Sequence, residues 1–429
     1  MGHAIILSAP ASGAGKTTLT LGLLRALYRR GVAVAGAKSG PDYIDPRFHQ
    51  AACQRPCPNL DGWAMKPERI KALAAGAEAE LLLVEGAMGL FDGAPPDGQG
   101  ATADLARILR LPVVLIIDAA RMAQSVAPLL AGFARFRDDV TVGGVILNNV
   151  GSPRHAAMLK RALVPLGIPV LGVMQRQAGL AHPSRHLGLM QASEHPDLPA
   201  YLDRVADAVE AAIDLDTLTT LARPLPDAPT FPAPPPPAQR IAIAQDHAFA
   251  FAYPHHLADW RAAGASLQFF SPLRGQPAPK DAELIFLPGG YPELYAGQLA
   301  AAAQFKASMQ DAARRGVQIY GECGGYMVLG ETMVDAKGHS HQMLGLLDVQ
   351  TSFANPQLHL GYRQVVSTDG PFAGTYRAHE FHYARTISAQ GEPLFHARDA
   401  EGNDLGPMGL VRGSVCGSFI HLLDKQSQQ

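Results

Sequence analysis

Two short stretches of this sequence carry residue types that do chemistry. "SAPASGAGKTT", residues 8–18, puts Gly13, Ala14, Gly15, Lys16, Thr17 and Thr18 between an apolar run and a helical one. Backbone N–H groups of such a loop and the positive end of the following helix cradle phosphates. Lys16 reaches the outer phosphates of ATP and the Thr17 hydroxyl helps hold Mg²⁺. The strict pattern has glycine six residues before the lysine, where this chain has Pro10, so Gly13 and Gly15 must supply the freedom. Far downstream, "YGECGGYM" sets Cys323 on a turn between an apolar run and a helical stretch. A nucleophile elbow has this form, because small neighbours tolerate the tight backbone. The helix N-terminus is expected to lower the thiol's pKa, and the Gly324 N–H, with that of Gly290 in "LPGGYPE", to bind an oxyanion. A nucleophilic thiol needs a base, and "GSVCGSFIHL", read as one strand, offers His421.

Other candidates sit where strands end. Glu85, in "LLLVEGAMGLFDG", is a second metal ligand beside Thr17, and Asp92 faces the acceptor. "AKSGPDYIDPRFH" gathers Lys38, Asp42, Tyr43 and Asp45 on a proline-bounded turn near the same sheet edge. Asp118 ends "LIIDAA" near the γ-phosphate, and Asn148 in "GVILNNV" can read the adenine edge or serve a turn. Cys53 and Cys57 lack the further ligands a tetrahedral metal site needs and are read as structural. His379, Glu380 and His382 in "RAHEFHYA" are read as hydrogen-bonding groups beside the thiol, since no third metal ligand is evident. Cys416 belongs to the core.

The elements that must position these groups are strands alternating with helices. In the first half "HAIILSA", "VAVAGAKSG", "AELLLVEGA", "PVVLIIDA", "VGGVILNNV" and "PVLGVM" are short continuous apolar runs, as parallel strands buried on both faces require. The second half repeats the style with "IAIAQD", "SLQFFSP", "AELIFLPGG" and "GVQIYGEC". The fold class is α/β, with two doubly wound domains whose ligands gather at strand carboxyl ends. The proline-dense stretch "RPLPDAPTFPAPPPPAQR" cannot join a helix interior or a central strand. The expected division is therefore a phosphate-loop domain over 1–222, a linker over 223–239 and a thiol domain over 240–429.

With 429 residues, 47% apolar and 17% charged, the chain can bury two such cores. A net charge of -2 offers no field for nucleic acid or acidic membranes. Four scattered cysteines and no apolar stretch of spanning length point to the cytosol.

Taken together, "KSGPDYIDPRFH", "VEGAMGLFDG", "GVILNNVGS", "LPGGYPE", "GECGGYM", "AHEFHY" and "GSFIHL" resemble the a,c-diamide synthases of corrinoid biosynthesis, over essentially the whole chain. The resemblance implies a dethiobiotin-synthetase-like ATP domain followed by a class I glutamine amidotransferase domain. It implies that Mg-ATP activates the a and c acetate carboxylates of hydrogenobyrinic or cobyrinic acid as acyl phosphates. Ammonia released from glutamine at Cys323, with His421 as base, would then displace phosphate. Lys16 and Thr17 would serve the phosphates and Mg²⁺, Glu85 and Asp42 the metal, and Tyr43, Asp45 and Asp92 the corrinoid. Partners would be corrinoid, glutamine and ATP, with neither nucleic acid nor membrane, and with a homodimer open. Cobyric acid synthase and nickel-sirohydrochlorin a,c-diamide synthase share this layout. The non-enzymatic alternative is a phosphate-loop switch carrying an inert cysteine domain. Many class I amidotransferases have a glutamate two residues after the catalytic histidine; here Leu422, Leu423 and Asp424 follow His421. A Cys–His dyad is expected, with Glu322 directed away along the turn.

Overall fold

The computed structural model describes residues 2–180, 190–228 and 231–426. Two compact units divide the chain, Met1–Phe231 and Pro232–Gln429.

In the first unit a sheet runs in the order Asn59–Leu60, Val34–Ser39, Leu81–Glu85, His3–Ser8, Val113–Asp118, Val142–Val150, Val170–Gln175. These seven strands pair parallel throughout. Their central residues, such as Ile5, Ile6, Leu83, Val84, Leu115 and Ile116, are wholly buried. That is why the sequence shows continuous apolar runs rather than alternation. The helix Lys16–Arg29 follows the first strand and buries Leu19, Leu23, Leu24 and Leu27 at helical spacing. Gly31, at φ 80°, lets the chain leave it. One difference from expectation lies at the linker. Arg223 and Pro224 are not spacer but pair antiparallel with Ala4 and His3. Pairing of the first strand with Val113–Leu115 begins only at Ile6, so that edge is open to them.

The second unit contains a six-stranded sheet in the order Ser266–Phe270, Arg240–Ala244, Leu284–Leu287, Gln318–Glu322, Val415–Ser418, Leu410–Arg412. Only the last pairing is antiparallel. One core cluster joins Leu287, Ile319 and Val415 to the helices through Phe305, Met309, Met327 and Leu329. A separate cluster joins Ile241, Phe286 and Tyr320 to Val365, Tyr376, Ala378, Ala397, Ile420 and Leu422. Those last residues belong to a five-stranded antiparallel sheet, Asp404–Met408, Phe395–Asp399, His359–Ser367, Gly374–His382, Ile420–Lys425. The segment expected to be one strand through His421 is therefore two. Val415–Ser418 lies in the parallel sheet, the chain breaks at Phe419, and Ile420–Lys425 enters the antiparallel sheet. Pro234–Pro237 lie against this unit, where they line a cavity of about 230 Å³ together with Trp260, Phe286 and Phe372.

Candidate active sites

In the first unit the loop enters its helix through Gly15 at φ 88°, with Gly13 at φ 81°. Only glycine adopts these values without cost. A Cβ at Gly15 would also collide with Asn148 Nδ2. Asn148 donates that amide to Ala14 O at 2.9 Å. In the structure it braces the loop. Lys16 donates to Ala11 O and Met88 O, and burial lowers its pKa.

Beneath the loop lies a buried charged cluster. Thr17 Oγ1 donates to Glu85 Oε1 at 2.6 Å and stands 3.3 Å from Asp45 Oδ2. Lys38 Nζ sits between the two carboxylates, 2.6 Å from Asp45 and 2.8 Å from Glu85. His49 Nε2 bonds Glu85 Oε2 at 2.6 Å, and its Nδ1 lies 3.2 Å from Cys57 Sγ. Burial by itself would raise the Glu85 pKa, but Lys38 and His49 outweigh it and hold the carboxylate well below its usual range. Burial would likewise lower Lys38, yet Asp45 and Glu85 keep it strongly protonated.

Asp42, read as a metal ligand, borders this cluster through Oδ2, 3.9 Å from Lys38 Nζ. Its Oδ1 accepts from the Ile44 and Asp45 N–H groups at the start of the helix Asp45–Cys53. Burial, then the charge of Asp45, pushes it up to about 7. Asp45, read as a substrate contact, is the residue that joins Thr17 and Glu85. Tyr43 is buried, and Asp92 is exposed, accepting from the Gly89 N–H at 2.8 Å. Asp118 accepts from the Ala120 N–H at 2.9 Å. His49 went unnoticed in the sequence, although Asp45, His49 and Cys53 recur at four-residue spacing, which puts them on one helix face. Cys53 Sγ donates to His49 O.

In the second unit Cys323 ends the strand Gln318–Glu322 and precedes the short helix Gly324–Leu329, at φ 47°, ψ -105°. A non-glycine residue there stores on the order of 1–3 kcal/mol of strain. The turn is possible because its neighbours lack side chains. A Cβ on Gly325 would collide with Leu287 O, and one on Gly324 would stand 2.8 Å from Pro292 Cδ and 3.0 Å from the Gly290 N. The Cys323 N–H bonds Ser418 O at 2.8 Å, tying the elbow to the strand just before His421.

Gly289, overlooked in favour of its neighbour Gly290, lies against both Cys323 and His421. A Cβ there would collide with His421 Cε1 and stand 3.3 Å from both His421 Nε2 and Cys323 Cβ. Contrary to the expectation from the helix terminus, the resting thiol's pKa is raised. Burial dominates, Glu293 adds to it, and the opposing Gly324 N–H bond is too weak to reverse it. Burial, aided by His379 and His382, lowers His421 to about 3. Both groups are thus neutral at rest.

Glu322 does not point away. Its Oε2 lies 3.7 Å from His421 Nδ1, and its Oε1 accepts from Tyr320 Oη and the Leu422 N–H, each at 3.2 Å. His359 joins Glu380 and His382 as the third group that sequence did not reveal. The three offer ligand atoms within 4.8 Å of one another, and Glu380 is also held by hydrogen bonds. Arg363 Nη2 holds Glu380 Oε2 at 2.8 Å and His382 Nε2 holds Oε1 at 3.0 Å. The His359 and His382 rings stack 9° from parallel. Cys416 is buried beside the strand of the elbow, as expected of a core residue.

A phosphate loop on one α/β unit and a thiol elbow facing a histidine on another define an ATP-using enzyme with its own glutaminase. Residues 5–189 match the CobQ/CobB/MinD/ParA nucleotide binding domain, and residues 240–429 the CobB/CobQ-like glutamine amidotransferase domain. The chain is 54% identical over 427 residues to hydrogenobyrinate a,c-diamide synthase of Brucella anthropi, covering 98% of each chain. To that of Rhizobium meliloti it is 52% identical over 426 residues, covering 98% of this chain and 99% of the other. The chain belongs to the hydrogenobyrinate a,c-diamide synthase family and is a glutamine-dependent amide ligase. Among the described residues no helix is long and apolar enough to cross a membrane.

Proposed function

We propose that this chain amidates the a and c acetate carboxylates of hydrogenobyrinic acid in the cytosol, using ATP and glutamine. The observation that carries the reading is the placing of Cys323 and His421 against Gly289, two residues delivered by different sheets. The names of the relatives support the cobalt-free substrate over cobyrinic acid.

At the elbow, the Cys323 S–H bond breaks and its proton passes to His421 Nε2. The thiolate attacks the glutamine amide carbon, with the Gly290 and Gly324 N–H groups facing the developing oxyanion. Collapse expels ammonia, which takes the proton from His421. Water then cleaves the thioester, releasing glutamate and restoring the thiol.

At the phosphate loop, Lys16, Thr17 and Thr18 hold the phosphates of ATP. A corrinoid carboxylate attacks the γ-phosphorus, ADP leaves, and ammonia displaces phosphate from the acyl phosphate to form the amide. The oxygen donors Thr17, Glu85 and Asp45 suit Mg²⁺, with the Lys38 ammonium marking where positive charge is favoured. When bound, Mg²⁺ would neutralise charge on the β- and γ-phosphate oxygens. Tyr43 and Asp92 would lie toward the corrinoid.

The variant Cys323→Ala tests the scheme. Glutamine-dependent amidation should fall by at least about 10³-fold, while ammonia-dependent amidation persists. Intact glutamine-dependent synthesis in that variant would remove the thiol from the mechanism.

A further inference from the structure

We propose that Glu322, the residue immediately before the nucleophile, is the positioning carboxylate for His421, doing from the elbow strand what other class I enzymes do from a glutamate after the histidine. The inference rests on the glutaminase reading above and adds a third member to it.

Strand geometry puts Glu322 where it is needed. Side chains alternate along a strand, so Glu322 shares the face of Tyr320, and that face packs against the antiparallel sheet. His421 arrives from that same sheet. The Glu322 carboxyl is buried and held at two points through Oε1, by Tyr320 Oη and the Leu422 N–H. The second of these donors belongs to the residue right after His421, so carboxylate and imidazole are registered to the same backbone. Oε2 is left toward Nδ1, 3.7 Å away. Catalytic hydrogen bonds are often long before substrate binds. With Nδ1 turned to Glu322, Nε2 is the nitrogen available to the thiol.

The electrostatics agree. Burial pushes Glu322 up to about 8, and the neighbouring imidazole is neutral at rest. When the thiol proton reaches Nε2, an imidazolium forms beside Glu322 and favours its ionised form. The other ionisable groups around the pair are His379, His382 and Glu380 near His421, and Glu293 near Cys323. His256, Asp259, Asp424 and Lys425 line the cavity that also borders Glu322.

The test uses the full chain with Glu322→Gln and Glu322→Asp. Three quantities are measured from pH 6 to 10: glutaminase kcat and KM, ammonia-dependent amidation, and the rate of Cys323 alkylation by iodoacetamide. For Glu322→Gln, kcat should fall about 10²-fold, with KM for glutamine changed less than about twofold. The alkylation rate across this range should fall about tenfold, and ammonia-dependent amidation should stay at wild-type level. Glu322→Asp should recover part of kcat. A Glu322→Gln enzyme with wild-type kcat and alkylation profile overturns the proposal. So does equal loss of glutamine- and ammonia-dependent activity in both variants, since that pattern belongs to a purely structural side chain. Failure of the wider glutaminase reading shows separately, in the Cys323→Ala enzyme.

Discussion

Beneath the phosphate loop, Lys38, Glu85 and Asp45 are buried as full charges compensated within 2.8 Å, whereas around Cys323 and His421 burial has removed the charges themselves. Both sites lie at the carboxyl ends of parallel strands, so the scaffold does not explain the contrast. The chemistry does. Phosphoryl transfer moves charge across groups that stay ionised, and fixed counter-charges serve it. A thiol nucleophile must be inert until its substrate arrives, and burial keeps it protonated until the imidazole takes the proton.

The contrast is most sharply tested by removing one charge. Lys38→Met removes the ammonium between two buried carboxylates, leaving Glu85 only its His49 and Thr17 bonds, and should cost about 3–5 kcal/mol of stability in the first unit. Urea denaturation measures that loss, while glutamine hydrolysis by the second unit should remain within about twofold of wild type. A protein as stable as wild type would mean the cluster relaxes, and the contrast with the elbow would dissolve.

On the thiol side the fragile feature is space rather than charge. Gly289→Ala forces a methyl group against His421 and should destabilise by about 1–3 kcal/mol. Glutaminase activity should drop far more than ammonia-dependent amidation. Unchanged glutamine hydrolysis would show that Cys323 and His421 need not approach across Gly289.

Acid and base should act on the two regions in opposite senses. Glu85 has a depressed pKa when folded, so its stabilising contribution is present above about pH 4.5 and lost as pH falls. Glu322 has a raised pKa, so its contribution is full below about pH 4.5 and lost as pH rises through about 8. Glu322→Gln should therefore gain stability over wild type between pH 4.5 and 8, by a few kcal/mol at most. Glu85→Gln should be least costly at the acid end. Urea titrations at three pH values check both slopes; a flat difference for Glu322→Gln would place its carboxylate in contact with water.

Local chemistry made much of this legible in one dimension. Gly13, Gly15, Lys16 and Thr17 announce a phosphate cradle because a loop entering a helix needs those types in that order. Cys323 among glycines announces an elbow because few other residues fit so tight a turn. That Asp45 meets Thr17 while Asp42 accepts from the Ile44 and Asp45 N–H groups was not legible, because both carboxylates stand in one proline-bounded turn. His49 was legible only in part, through its spacing from Asp45, because its partner Glu85 comes from a distant strand.

The sequence alone determined the residue chemistry of both sites and the α/β strand pattern, because these depend on local spacing and on apolar runs that parallel strands must have. Tertiary structure alone decided which groups meet. Breaking the final segment at Phe419 puts His421 in a second sheet, on the face that Tyr320 and Glu322 share. No spacing along the chain encodes that encounter, since it depends on two sheets burying their apolar faces against each other.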